Sequence, residues 1–104
     1  MKSPPAGWPR ISSAVFYDDP AAAIDRLCRA FGFEVRLKVE GEGGSLEHSE
    51  LVFDGGLIMV GGAGGDRPGQ QPMVSPRSVG GGNTQVLGVY VDDVDAHYAQ
   101  ARTA

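Results

Sequence analysis

Val15-Phe16-Tyr17-Asp18-Asp19-Pro20-Ala21-Ala22-Ala23-Ile24-Asp25, running on to Ala30-Phe31-Gly32-Phe33-Glu34, joins a strand, a capped helix and the start of a second strand. Residues Arg10 to Tyr17 are short, partly β-branched and aromatic, and stop at Asp18-Asp19-Pro20, the pattern of a strand running into a helix start. The Asp19 carboxylate can accept from backbone N–H groups that a first helical turn leaves unpaired, and Pro20 at the first helical position gives up no donor the helix needs. Ile24, Leu27, Cys28 and Phe31 then recur at i, i+3, i+4 and i+7, one apolar stripe to lay on a sheet. Gly32 closes the helix as a left-handed cap.

Working outward, Glu34 to Val39, Leu46 to Phe53 and Leu57 to Val60 are strand candidates, separated by the turn signals Gly41-Glu42-Gly43-Gly44 and Asp54-Gly55-Gly56. The order is βαβββ. Gly61 to Asn83 is rich in Gly, Pro, Gln and Ser without apolar periodicity, which reads as a flexible connection rather than packed structure. Its run Gly61-Gly62-Ala63-Gly64-Gly65-Asp66 is no phosphate cradle, because neither a Lys-Ser/Thr pair nor a helix start follows. Thr84 to Val91 is a further strand candidate, and Ala96 to Arg102 has helical character behind Asp92-Asp93-Val94-Asp95. Laying Phe16-Tyr17-Asp18-Asp19 on Tyr90-Val91-Asp92-Asp93 also lays Ile24 on Tyr98, so a β-then-α unit repeats. Residues 1–104 are expected to form one domain, with a first module at about 10–60, a linker at 61–83 and the start of a second module at 84–104.

A chain of 104 residues, 41% hydrophobic, has room for one small core. Its formal net charge of -4 argues against nucleic acid or an anionic membrane as partner, since both require clustered Lys and Arg. Cys28 is the only cysteine, so no internal disulfide can form, and a reducing cytoplasmic setting is expected. The opening residues Met1 to Pro9 lack the apolar core of a signal peptide, and no later run approaches membrane-spanning length.

Three segments together resemble the glyoxalase, bleomycin-resistance and extradiol dioxygenase (vicinal oxygen chelate) superfamily, in its glyoxalase-like branch. They are the opening stretch above, the hairpin His48-Ser49-Glu50-Leu51-Val52-Phe53-Asp54-Gly55-Gly56-Leu57-Ile58-Met59-Val60, and Val89-Tyr90-Val91-Asp92-Asp93-Val94-Asp95. The resemblance implies an α+β fold of paired βαβββ modules. This chain departs from it at Arg102-Thr103-Ala104, where the second module is truncated after its first strand and helix. Either a longer protein continues from there, or a partner copy covers the remaining sheet edge.

Metal-dependent members resemble one another in taking His, Gln or Glu from the first and last strands of each module. On this alignment those positions fall at Ser12, Val86 and Met59, with the fourth beyond Ala104. A shift of one residue brings in Ser13, Leu87 or Gln85, and of these only Gln85 can coordinate an ion. No metal ligand set and no cofactor are therefore expected. His48 and Glu50, two apart in a strand, project from one face. They are expected to line a ligand cavity with Ser12, Met59, Val86 and Tyr90, while Leu51 and Phe53 pack beneath the helix. Two readings stand for the pair: hydrogen-bonding groups for a ligand, even an acid and base, or a salt-bridged pair on a wetted sheet.

The remaining polar residues have plainer readings. Asp18, Asp19, Asp92, Asp93 and Asp95 are read as helix caps, His97 as solvated, and Cys28 as a small apolar group. Trp8 is read as covering an edge or joining a dimer surface, with stacking against a ligand as the lesser reading. The function expected is a metal-free binding or sequestering protein for a small organic ligand, a homodimer with no catalytic residues assigned. The alternative is a metal-dependent glyoxalase- or dioxygenase-like lyase or oxidoreductase completed by further C-terminal strands or by a partner subunit.

Overall fold

In the computed structural model the described residues are 2–64, 73–82, 85–89 and 91–104. They form β1 (Ser13–Tyr17), α1 (Pro20–Phe31), β2 (Glu34–Glu40), β3 (Leu46–Phe53), β4 (Gly56–Gly62) and α2 (Val94–Thr103), with short 3-10 turns at Glu42–Gly44 and Arg77–Val79. The strands make one mixed sheet in the order β1-β4-β3-β2, β1 parallel to β4 and the other neighbours antiparallel. The architecture is α+β, as the βαβββ reading requires.

Local chemistry explains α1. The Asp19 side chain accepts from Ala22 N–H at 3.1 Å, and Pro20 opens the helix. Gly32 takes φ 86° and its N–H donates to Cys28 O at 3.2 Å, a left-handed close that L side chains disfavour. Alternation along β3 sends Ser49, Leu51 and Phe53 to the helix side. There Leu51, fully buried, meets Ile24, Phe33, Ile58 and Val60 as the core, with Val15, Leu27, Cys28 and Phe53 packed around it. The Ser49 hydroxyl, also fully buried, donates to Val60 O at 2.6 Å and so enters the core with its polar atom satisfied.

Four expectations are corrected. Phe31 does not complete the buried stripe: it is 39% exposed, and Ala30 takes the buried position. The glycine run is partly strand, because Gly61 lies opposite Phe16 in the β1–β4 ladder, where a Cβ would fall 3.0 Å from the Phe16 ring. Residues 73–82 are pinned at one point: Ser75, 2% exposed while the rest of the segment is exposed, donates to Asp18 Oδ1 at 2.7 Å, so Asp18 anchors this segment instead of capping a helix. Residues 85–89 are not a strand. They lie beside β1, but Gln85 engages β1 through its side chain, which donates to Ala14 O and accepts from Ser13 Oγ at 2.6 Å, where a ladder would use the main chain. Thr84 and Tyr90, the other residues of that expected strand that matter to the reading, lie outside the described residues.

The second helix repeats the first in its cap, Asp93 accepting from Ala96 N–H at 3.1 Å, but buries no residue of its own. It is tied to α1 by His97, whose Nε2 lies 2.9 Å from Phe31 O and whose ring sits 6.3 Å from both Phe31 and Phe53. His97 is thus half-buried between two helices and a strand, not solvated. Since a ring nitrogen bonded to a carbonyl must carry its proton, Nε2 is the donor. None of the helices among the described residues is long and apolar enough to cross a membrane.

Leu51→Ala is expected to lower stability by about 2–5 kcal/mol and Asp19→Ala by about 1 kcal/mol, read from urea unfolding followed by circular dichroism. Equal effects of the two would contradict the assignment of Leu51 to the centre of the core.

Candidate functional site

Strand register assembles the open face of the sheet, opposite α1. Ala14 is paired with Met59, Met59 with Glu50, and Glu50 with Leu37, so one row crosses all four strands. Cross-strand partners share a face, which puts Met59 beside Glu50 as the sequence reading expected. His48 is paired with Val39 and follows the same alternation as Glu50.

At the centre of this row is a carboxylate in an unusual setting for a sheet surface. Glu50 is only 4% exposed. Its Oε2 lies 2.7 Å from His48 Nε2, and its Oε1 accepts from Arg36 Nη1. The hydrogen bond with His48, joined by the hydrogen bond and charge of Arg36, outweighs burial and holds Glu50 below its ordinary value. An ionised carboxylate only accepts, so Nε2 of His48 is the donor, and in the neutral ring Nδ1 is then an acceptor. Sequence gave no sign of Arg36 in this role. It sits where the ladder between β2 and β3 slips between Val35 and Leu37, on the face that Glu34, paired with Val52, shares with Glu50, while Lys38, paired with Ser49, falls on the other. Arg36 in turn lies under the Trp8 ring, its Cζ 5.6 Å from the ring centroid.

Of the expected ligand-binding residues, the five that are described do not line one cavity together. His48 and Glu50 are hydrogen-bonded and Met59 adjoins Glu50, so three stand together. Val86 is 83% exposed and lines a cavity of about 310 Å³ along β1, with Phe16, Tyr17, Val79 and Gln85. Ser12 lines another of about 520 Å³, with Ile11, Phe53, Leu57 and Leu87. Neither cavity includes His48, Glu50 or Met59 in its wall. Tyr90 lies outside the described residues. The two cavities flank the outer edge of β1 because residues 85–89 stand off from it, a placement that the missing ladder causes and that no sequence pattern signals.

A divalent ion in a protein site needs three or more converging donors. Among the described residues no three of His, Cys, Asp and Glu come together in that way. Glu50 already spends both oxygens on His48 and Arg36, and its row neighbours are a thioether and alkyl groups. These residues do not fit a metal centre. What the cluster can do is fix one tautomer of His48 and present an imidazole and a guanidinium on an otherwise apolar floor.

Comparison with known proteins places this geometry. The family model described as Glyoxalase/Bleomycin resistance protein/Dioxygenase superfamily matches residues 10–104. Among solved structures, the crystal structure of TioX from Micromonospora sp. ML1 is similar, with a TM-score of 0.60 and 32% sequence identity over 91% of this chain and 69% of that one. No curated protein matches.

The lowered Glu50 value sets a pH dependence. A carboxyl whose folded value lies below its unfolded one stabilises the fold fully above the unfolded value, about 4.3 for Glu, and this contribution is lost as pH falls through that value and then the folded one. Melting temperature is expected to drop over that acid range, with a shallower slope in Glu50→Gln. A variant slope equal to that of the parent would remove Glu50 from this role.

Proposed function

The chain belongs to the Glyoxalase/Bleomycin resistance protein/Dioxygenase superfamily, and from that premise we propose that it captures a small organic molecule on the open face of its sheet by shape and hydrogen bonds, without a metal ion. The observation that carries this reading is the state of Glu50: both of its oxygens are engaged, by Arg36 and by His48, and Met59, Ala14 and Leu37 complete its row. Metal catalysis in such a scaffold needs side chains that hold an ion in fixed geometry while leaving positions open for substrate. Here the polar groups hold one another. A guest meets an imidazole and the free edge of a guanidinium above apolar side chains, which is the composition of a small-molecule site: mostly apolar lining with few placed donors and acceptors.

In this reading the protein binds or sequesters and does not transform its guest. It acts as a cytoplasmic homodimer. Support for the second copy comes from β1, a sheet edge engaged on its outer side by the Gln85 side chain, flanked by Ile11 at 87% and Val86 at 83% exposure. Support for a reducing compartment is the lone thiol of Cys28.

Metal analysis by mass spectrometry, on protein purified without chelator, should find divalent ions far below one per chain, and a chelator should leave guest affinity unchanged. A stoichiometric ion that resists dialysis would overturn the reading. For guests found by thermal-shift screening of small organic compounds, His48→Ala and Glu50→Gln should each weaken binding by about five- to tenfold, the size of one hydrogen bond lost. Unaltered affinity in both variants would take the open face out of binding.

A further inference from the structure

The arm that precedes β1 is built, not draped. Trp8 N–H donates to Pro5 O at 3.0 Å, and Gly7 between them has φ 81°, a turn whose third residue must reach the left-handed region. Pro4 and Pro5 before the turn and Pro9 after it stiffen both limbs. The turn brings the Gly7 backbone and the Trp8 indole against one side chain: a Cβ on Gly7 would lie 3.5 Å from Arg36 Nη2, and Arg36 Cζ lies 5.6 Å from the indole centroid. The same guanidinium donates from Nη1 to Glu50 Oε1. A flat, positively charged surface is therefore held ready on the open face and covered by a flat, electron-rich ring from the same chain. No residue of the arm belongs to the core cluster.

Building on the binding role of the open face, we propose that residues 2–12 are a strap, and that the Trp8 indole holds the place on Arg36 that a planar aromatic ring of the guest takes over. The guest class follows from the surface. Stacking on a guanidinium requires a flat π-system, and the Arg36 charge disfavours a cationic ring while accepting a neutral or anionic one. The strap and the guest compete for one face, so free protein is self-covered and guest affinity is reduced by whatever holds the indole down. A cation–π contact at a partly exposed site corresponds to about two- to fivefold in affinity.

The chain has a single tryptophan, so fluorotryptophan-labelled full-length protein gives one fluorine resonance that reports on Trp8 alone. Naphthoate is the flat probe and cyclohexanecarboxylate its control of equal charge without a flat ring. Naphthoate should move the Trp8 resonance and bind in calorimetry, and Trp8→Ala should bind it about two- to fivefold more tightly, with no such gain for the control. Arg36→Lys, which keeps the charge and loses the plane, should abolish the preference for naphthoate. A Trp8 resonance that stays put as naphthoate saturates, weaker naphthoate binding in Trp8→Ala, or no binding by that variant would each overturn the strap. A screened guest whose affinity falls in Glu50→Gln but ignores both Trp8→Ala and Arg36→Lys would overturn the strap while leaving binding at the open face standing. The resonance shift is measured on the unaltered sequence, so the test does not depend on any variant folding.

Discussion

A carboxylate at 4% exposure in the third-placed strand of a four-stranded sheet is stable only if its charge is matched, because burial of an unpaired charge is among the most unfavourable things a fold can do. Glu50 is matched by the charge of Arg36 and hydrogen-bonded by His48. Much of the open face follows from that requirement. Arg36 donates to it from the bulge in β2, His48 is held to one tautomer, and the same guanidinium lies 5.6 Å from the centroid of the Trp8 ring. The carboxylate of the row is thereby engaged by protein groups at both oxygens.

The helix side obeys a different rule, close packing of apolar side chains, and that rule was legible in the sequence. Asp19, Pro20 and Gly32 announced both ends of α1 because capping chemistry is local, and β3 was expected at about Leu46 to Phe53 because turn signals bound it on both sides. The same alternation put His48, Glu50 and Met59 on one face. What escaped notice depends on contacts between distant residues. Arg36 meets Glu50 across two strands at an irregular point of their ladder, Ser75 is buried where Asp18 receives it, and His97 is sheltered where α2 comes back against Phe31 and Phe53. Composition marked 73–82 as linker, since Gly, Pro and Ser have low propensity for regular structure, yet two hydroxyls and a carboxylate suffice to pin it.

Residues 85–89 illustrate the limit of repeat logic. The likeness of Tyr90-Val91-Asp92-Asp93 to Phe16-Tyr17-Asp18-Asp19 correctly found a second Asp-capped helix, since the cap is encoded within a few residues. A strand is encoded jointly with its neighbour. Beside β1 the Gln85 amide occupies Ala14 O, and the main chain of 85–89 is left without a ladder.

The order of the strands carries a consequence for how the chain is made. β1 and β2, first from the ribosome with α1 between them, end at opposite rims of the sheet, and the two central strands that join them come from residues 46–62. Until those residues emerge, the early half can form its capped helix but has nothing to dock it on. Assembly therefore waits for the β3–β4 hairpin, whose arrival closes the sheet in both directions at once. The tight turn at Asp54-Gly55, where Asp54 itself adopts φ 41°, is accordingly the point at which biosynthesis turns from accumulation of parts to a folded protein.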